Sequence, residues 1–188
     1  MNIHPLFVHF PIALFAAYSI VEVLAYFWPA LRRQSWVAPV KPFLLFTGAL
    51  AAIVALITGG MAGELVEQRQ LPTGYLLILK THAPFAVATT LLYLALTAAY
   101  LVRVFDAKGW GARIAKKNKV FTWSWNLKKK IAHAILDTWV LPVIAFFALV
   151  GVVITGTLGA ALVYGPYFDP FIYYVCRIFW PSIPPLPQ

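Results

Sequence analysis

Charged side chains are scarce in this 188-residue chain, because only 11% of its residues are Asp, Glu, Lys or Arg. Hydrophobic residues make up 62%, and the mean hydropathy is +0.80. Soluble domains carry about 25% charged and about 45–50% apolar residues. A globule of this length still exposes much of its surface to water and could not bury such an excess. The composition excludes a soluble domain, a disordered protein and a fibrous repeat, and it indicates a membrane protein.

Cysteine is nearly absent, since Cys176 is the only one in the chain. A single thiol excludes a disulfide framework and a four-thiolate zinc or iron–sulfur site. It also excludes the CxxCH attachment of a covalently bound haem. Cys176 has no partner and belongs to no motif.

Long apolar runs fill most of the sequence. About 20 apolar residues cross a hydrocarbon core of about 30 Å, and four such runs lie near residues 7–28, 42–62, 83–104 and 139–163. The first run is too long for a signal peptide and lacks a basic leader and an A-x-A cleavage pattern. The sequence predicts an all-α integral membrane protein, a four-helix transmembrane bundle over residues 1–164. A basic loop over 105–138 and an aromatic, proline-rich tail over 165–188 complete the chain.

The basic residues are distributed unevenly, and twelve of the fifteen fall in the loops after the first and third spans. The positive-inside rule places these loops in the cytoplasm and both termini outside. The net charge of +9 then faces anionic lipid and is not the footprint of a nucleic acid. Trp110, Phe121, Trp123 and Trp125 alternate with lysines in the longer loop, which is typical of a segment lying on a membrane surface.

The sequence contains an internal repeat. Span one begins with HFPIA at residues 9–13 and span three with HAPFA at residues 82–86, so both fit H-x-P-x-A. The ends of spans two and four, residues 57–66 and 154–163, align without gaps and share five of ten residues. The matches occur in the same order and at the same depth, so we interpret the chain as two hairpins related by a pseudo-twofold axis along the membrane normal.

This axis places His9 and His82 at the same depth, near the outer ends of spans one and three. Small residues lie opposite them at the ends of spans two and four, and we assign Gly59 and Gly156 to the wall of the intervening gap. Two imidazoles across such a gap are what a b-type haem with two axial histidines requires. The competing interpretations are that small residues allow close helix packing and that the histidines make hydrogen bonds at the interface.

Glu22 is the only carboxylate well inside a span. An ionisable residue within the membrane is a functional candidate, here as a proton relay or a quinone contact. The alternative is a hydrogen bond to a neighbouring Tyr or Thr, or a side chain that reaches the interface. His133 and Asp137, four residues apart, share a helix face on the cytoplasmic side.

His4 precedes Pro5, which favours the first turn of a helix. It lies five residues before His9, about 140° around a helix, so we do not expect one metal to take both. His4 with Glu64 and Glu67 could make a surface zinc or copper site, although the spacing matches no recognised motif.

The opening residues 3–14, IHPLFVHFPIAL, closely resemble the start of a bacterial four-span family known as domain of unknown function 2231. The Thr58-Gly59 pair, His82 and the LVY ending of span four at residues 162–164 resemble its other marks. The chain departs from the family after Tyr164, where GPY at residues 165–167 replaces an expected Arg-His-Gly. The resemblance implies a prokaryotic inner-membrane protein of a family found near or fused to cytochrome modules. It is more distantly similar in plan to b-type membrane cytochromes, and it implies no activity.

Our first hypothesis is a membrane electron-transfer subunit with one b-type haem between His9 and His82. It would pass electrons between a quinone pool and a redox partner docked on the tail. No residue is predicted to be catalytic, so any enzymatic role would belong to a larger oxidoreductase complex. The alternative is a non-redox anchor or structural subunit of a membrane complex. A small transporter is less favoured, because Glu22 is its only candidate intramembrane charge and no span is broken midway.

Overall fold

The structure is a computed structural model that describes residues 3–68, 73–115 and 119–181. Within these residues the chain is helical and without strands. The helices are α1 His4–Phe27, α2 Pro29–Arg32, α3 Val37–Gln68, α4 Thr73–Ala107, α5 Trp110–Ala115, α6 Lys119–Leu136, α7 Val140–Tyr164 and α8 Pro170–Phe179. Four stretches are long and apolar enough to cross a membrane: His4–Phe27, Val37–Glu64, Gly74–Ala107 and Val140–Tyr164. The predicted four-span, all-α membrane protein is confirmed.

Proline and glycine set several of the helix ends. Pro5 and Pro170 occupy the first turns of α1 and α8, where a missing N–H breaks no helical hydrogen bond. The Asp169 carboxylate caps α8 by accepting a hydrogen bond from the backbone N–H of Ile172 at 2.9 Å. Gly165 ends α7 with φ at +91°, a conformation that favours glycine, and turns the chain into α8.

The four long helices form a ring. Helix α1 packs against α3 and α7, and α4 packs against α7 and α3, so α1 stands diagonally opposite α4 and α3 opposite α7. Two hairpins, α1–α3 and α4–α7, related by a twofold axis would give this pairing. The shorter helices lie against the ring, with α6 on α4 and α8 on α7.

Aromatic side chains fill the centre of the four-helix bundle. Phe15 and Tyr93 stack with ring centroids 3.9 Å apart and planes 1° from parallel. Tyr18 is completely buried and meets both Tyr93 and Tyr100 edge to face, an arrangement that the ring quadrupoles favour. The Ser19 and Tyr93 hydroxyls hydrogen-bond at 2.7 Å. The two diagonal helices α1 and α4 therefore meet through large side chains on the bundle axis.

The stretch predicted as a basic loop, residues 105–138, contains the two helices α5 and α6. Phe121 and Trp123 are exposed on α6, whereas Leu136 is buried against the bundle. An ion pair of 2.9 Å between Lys129 and Asp106 attaches α6 to the end of α4. The aromatic and basic side chains are thus carried by an amphipathic helix, as expected of a segment at a membrane surface.

The predicted tail contains α8, which folds back onto the end of α7. Ile172 and Cys176 are buried there with Ile78 and Leu158. Residues 182–188 of the predicted tail lie outside the described residues. The opposite face of α8 is exposed and carries Phe171, Tyr174 and Ile178.

Candidate functional site

The two ends of the bundle carry different chemistry. At one end, here called the histidine end, His4 and His82 lie beside the C-terminal parts of α3 and α7. At the other, called the basic end, Arg32, Lys41 and Arg103 surround the connection between α1 and α3. The predicted site residues His82, Gly59 and Gly156 belong to the histidine end.

His4 is held against α3. Its Nδ1 lies 3.2 Å from the Thr58 hydroxyl oxygen. That hydroxyl can donate its own proton to the carbonyl of Val54 or Ala55, at 3.0 and 3.1 Å, which leaves Thr58 Oγ1 as an acceptor for His4 in the tautomer that carries its proton on Nδ1. Gly59 makes room for the ring, because a Cβ at that position would lie 3.0 Å from His4 Cε1.

His82 is held against α7 in a comparable way. Its Nδ1 lies 3.0 Å from the carbonyl oxygen of Thr155. A carbonyl can only accept, so Nδ1 carries the proton and a neutral ring keeps its lone pair on Nε2. A Cβ at Gly159 would lie 3.3 Å from His82 Cε1 and 3.8 Å from Nδ1. The Nδ1–Cε1 edge therefore faces α7, and Nε2 points away from it.

His4 is the spatial counterpart of His82. Thr58 and Thr155 are equivalent positions in the repeat at the ends of α3 and α7, and each holds the histidine of its own hairpin. The two imidazoles also lie close enough to interact electrostatically. The structure thus brings together two histidines from diagonal helices at one end of the bundle.

Two further contacts join α1 to α4 across the bundle axis with the same separation in sequence as His4 and His82. The carbonyl of Phe15 accepts a hydrogen bond from Tyr93, and Glu22 accepts one from Tyr100. In both pairs the residues are 78 positions apart, which is also the separation of His4 and His82. The alignment on H-x-P-x-A gives a register that is shorter by five residues.

His9 lies on the exposed side of α1. The two H-x-P-x-A motifs lie on different faces of their helices, as the buried Pro11 and the exposed Pro84 show. The imidazole that interacts with His82 is that of His4. The Thr58–Thr155 correspondence in the second arms was the sequence signal that could have indicated it.

The two glycines assigned to the gap wall have different neighbours. Gly59 faces the His4 ring, as described above. A Cβ at Gly156 would lie 3.8 Å from Ile12 Cδ1, and it is Gly159 that faces His82. In this part of the bundle the small residues accept side chains from the neighbouring helix, which is the close packing that they favour in membranes.

Glu22 is buried in the basic half of the bundle and is fully partnered. Its Oε1 lies 3.0 Å from Lys41 Nζ, and its Oε2 accepts a hydrogen bond from the Tyr100 hydroxyl at 3.2 Å. The hydrogen bond to a tyrosine was among the predicted alternatives. The predicted second span begins near residue 42 and leaves Lys41 in the preceding loop, but α3 begins at Val37 and carries Lys41 within its first turns.

The remaining polar candidates lie elsewhere. His133 Nδ1 is 2.7 Å from Asp137 Oδ2, and Arg103 also pairs with Asp137. Hydrogen bonds from His133, and secondarily from Arg103, lower the pKa of the Asp137 carboxyl below its ordinary value. Glu64 is exposed, and the Glu67 side chain lies outside the described residues. In residues 3–68, 73–115 and 119–181, no three His, Cys, Asp or Glu side chains gather as a metal site.

Comparison with known proteins gives one family. No curated protein and no solved structure matches the chain. A family model described as "Predicted membrane protein (DUF2231)" matches residues 1–166, which include all four long helices and both histidines of the histidine end. The chain therefore belongs to the DUF2231 family of membrane proteins.

Proposed function

We propose that the protein is a membrane electron-transfer subunit that holds one b-type haem at the histidine end, where His82 and His4 would bind its iron. The haem would supply a reversible one-electron carrier in a site of low dielectric constant. The protein would exchange electrons with a quinone pool and with a redox partner on the outer face of a prokaryotic inner membrane.

The observation that carries the proposal is the pair of anchored imidazoles on diagonal helices. Histidine ligands commonly donate their second ring N–H to a carbonyl or another acceptor, which fixes the ring and presents the other nitrogen to the metal. His82 meets this condition through the Thr155 carbonyl, and His4 would meet it through Thr58 Oγ1 in the tautomer with the proton on Nδ1. Polar groups are costly to bury in hydrocarbon and tend to serve a function there.

Each helix pair contributes one part of the site. The first turn of α1 and the tenth residue of α4 carry the imidazoles, and α3 and α7 hold them by hydrogen bonds and by the clearance at Gly59 and Gly159. The hydrogen bond to Thr155 leaves the Nε2 lone pair of His82 for a metal, and His4 would turn its second nitrogen to the same ligand. Glu22 lies in the other half of the bundle and remains a candidate for a proton or quinone contact there.

The test is a dithionite-reduced minus oxidised absorption spectrum of protein purified from its native membrane, together with a pyridine haemochrome assay. We expect a b-type α-band at about one haem per chain. The His82→Ala and His4→Ala variants should lose the band, and His9→Ala should keep it. His9 is a matched control, because it is the same residue type on the same helix but is exposed.

Three results would count against the proposal in different ways. A flat spectrum from the native membrane would exclude the haem. Equal pigment in all three histidine variants would exclude these residues as ligands. Loss of the band in His9→Ala but not in His4→Ala would keep the haem and return the second ligand to His9.

A second candidate function, a non-redox anchor or structural subunit, is favoured by the exposed face of α8. Phe171, Tyr174 and Ile178 project from this helix while its other face is packed on α7. Aromatic residues are enriched at protein–protein interfaces and at membrane interfaces. Replacing these three with serine should reduce the size of the native complex on a blue-native gel, with Trp123→Ser at the opposite end as the control. An unchanged complex would argue against the anchor.

A further inference from the structure

A cavity of about 350 Å³ opens at the basic end of the bundle. Three cationic side chains, those of Arg32, Lys41 and Arg103, and the Tyr100 ring line it. The rest of the wall is apolar and includes Val37 and Leu136. A cavity with cations on one side and apolar side chains on the other suits an anionic amphiphile.

The charge balance of the cavity is positive. Lys41 is paired with Glu22 and Arg103 with Asp137. In the part of the chain that the structure describes, no carboxylate lies within ion-pair distance of Arg32. The first residue of α3, Val37, is at the wall, so the positive end of that helix dipole adds to the field.

The tryptophans around the cavity indicate its depth. Trp28, Trp36 and Trp139 are all exposed at this end, and such rings collect at the level of the lipid head groups. Arg32 lies between Trp28 and Trp36 in the chain, and Leu136 lies three residues before Trp139. This distribution of tryptophans is the one expected of a cavity at head-group depth.

We infer that this cavity binds the head group of one anionic phospholipid. A guanidinium offers paired N–H donors that match phosphate oxygens, and Arg32 is available for that contact. Val104, which also lines the cavity, is exposed on the outside of α4 and gives an apolar exit for the acyl chains. Basic pockets between transmembrane helices bind such lipids elsewhere. The inference is independent of the haem, because it concerns the other end of the bundle.

The test is native mass spectrometry of delipidated protein with added phosphatidylglycerol or with phosphatidylcholine of the same acyl chains. We expect the first lipid molecule to bind at least about fivefold more tightly when it is phosphatidylglycerol than when it is phosphatidylcholine. In Arg32→Gln this difference of about fivefold should disappear. Arg33→Gln is the matched control, because it removes the same charge from the next residue, which does not line the cavity. Ala38→Leu, which adds bulk to the cavity wall without changing charge, should also weaken binding.

The outcomes that would overturn the inference are specific. Equal binding of the two lipids would rule out a site selective for an anionic lipid. Equal losses of phosphatidylglycerol affinity in Arg32→Gln and Arg33→Gln would also rule it out. A third arm adds glycerol 1-phosphate, which carries the phosphate without acyl chains. If it displaced the lipid at comparable concentration, the site would be one for soluble phosphates and the lipid assignment would be wrong.

Discussion

Substituting Gly48 with alanine tests how closely α1 and α3 approach each other. A Cβ at this position would lie 2.7 and 2.8 Å from two ring carbons of Phe15 and 3.3 Å from Leu14 Cβ. The Phe15 ring has little room to retreat, because it stacks on Tyr93 at 3.9 Å. The added methyl group must therefore move a packed ring or separate the two helices.

The magnitude follows from two opposing terms. Overpacking a well-packed core costs typically about 1–3 kcal/mol, whereas alanine is about 1 kcal/mol more favourable than glycine in a helix interior. Gly60 lies on the same helix, and a Cβ there would meet nothing within 4 Å. Gly60→Ala therefore carries only the favourable term. We expect Gly48→Ala to be less stable than Gly60→Ala by about 1–3 kcal/mol.

The assay is unfolding in mixed micelles by titration with sodium dodecyl sulfate, followed by tryptophan fluorescence and far-ultraviolet circular dichroism. The two variants and the parent chain are compared in the same detergent, so that the glycine-to-alanine term cancels between the variants. If Gly48→Ala were as stable as Gly60→Ala, the close contact between α1 and α3 at Phe15 would be incorrect.

Three other predictions concern buried or paired groups. Glu22→Gln or Lys41→Met should each cost about 1–3 kcal/mol of unfolding free energy, because one partner of a partly buried pair stays behind, and the double variant should recover much of it; additive losses in a double-mutant cycle would refute this. Cys176 should react slowly with N-ethylmaleimide at neutral pH and fully after denaturation, because the residue is buried and burial raises the pKa of its thiol; rapid labelling of folded protein would contradict the packing of α8. Asp137 has a folded-state pKa below its ordinary value of 3.8, so its ion pairs should stabilise the protein above that pH and be lost as the pH falls below it. Since this carboxylate is half exposed, Asp137→Asn should cost only about 0.2–1 kcal/mol at pH 7, and a larger loss would indicate a more buried arrangement.

Hydropathy alone predicted the four spans, because crossing a membrane requires long apolar helices and little else. It placed the start of the second span near residue 42, whereas α3 begins at Val37. A transmembrane helix continues into the interface, where apolar runs no longer mark it. For that reason hydropathy leaves Lys41 in a loop and does not indicate its pairing with Glu22.

The candidate site can be compared with the sequence only by position. The sequence put His82 and Gly59 at one end of the bundle, and they lie at the end where His4 is also found. It did not indicate the pairing with His4. The H-x-P-x-A motif compares residue types, whereas contacts depend on which face of its helix each residue occupies. Pro11 is buried and Pro84 is exposed, so identical spacing puts the two histidines on different sides of their helices.

The contacts across the bundle axis have a consequence for biogenesis. Ser19 and Glu22 belong to the first hairpin, but Tyr93 and Tyr100, their partners, belong to the second. A first hairpin inserted alone would keep the Glu22–Lys41 pair, but Ser19 and Glu22 would lack their tyrosine partners until the second hairpin arrived. In a membrane, where apolar surfaces gain little by meeting each other, hydrogen bonds and close packing must supply the attraction between inserted segments. Docking of the two halves would thus be guided by polar groups whose contacts across the bundle axis form only in the complete bundle, and a chain stalled after its first hairpin would still expose them.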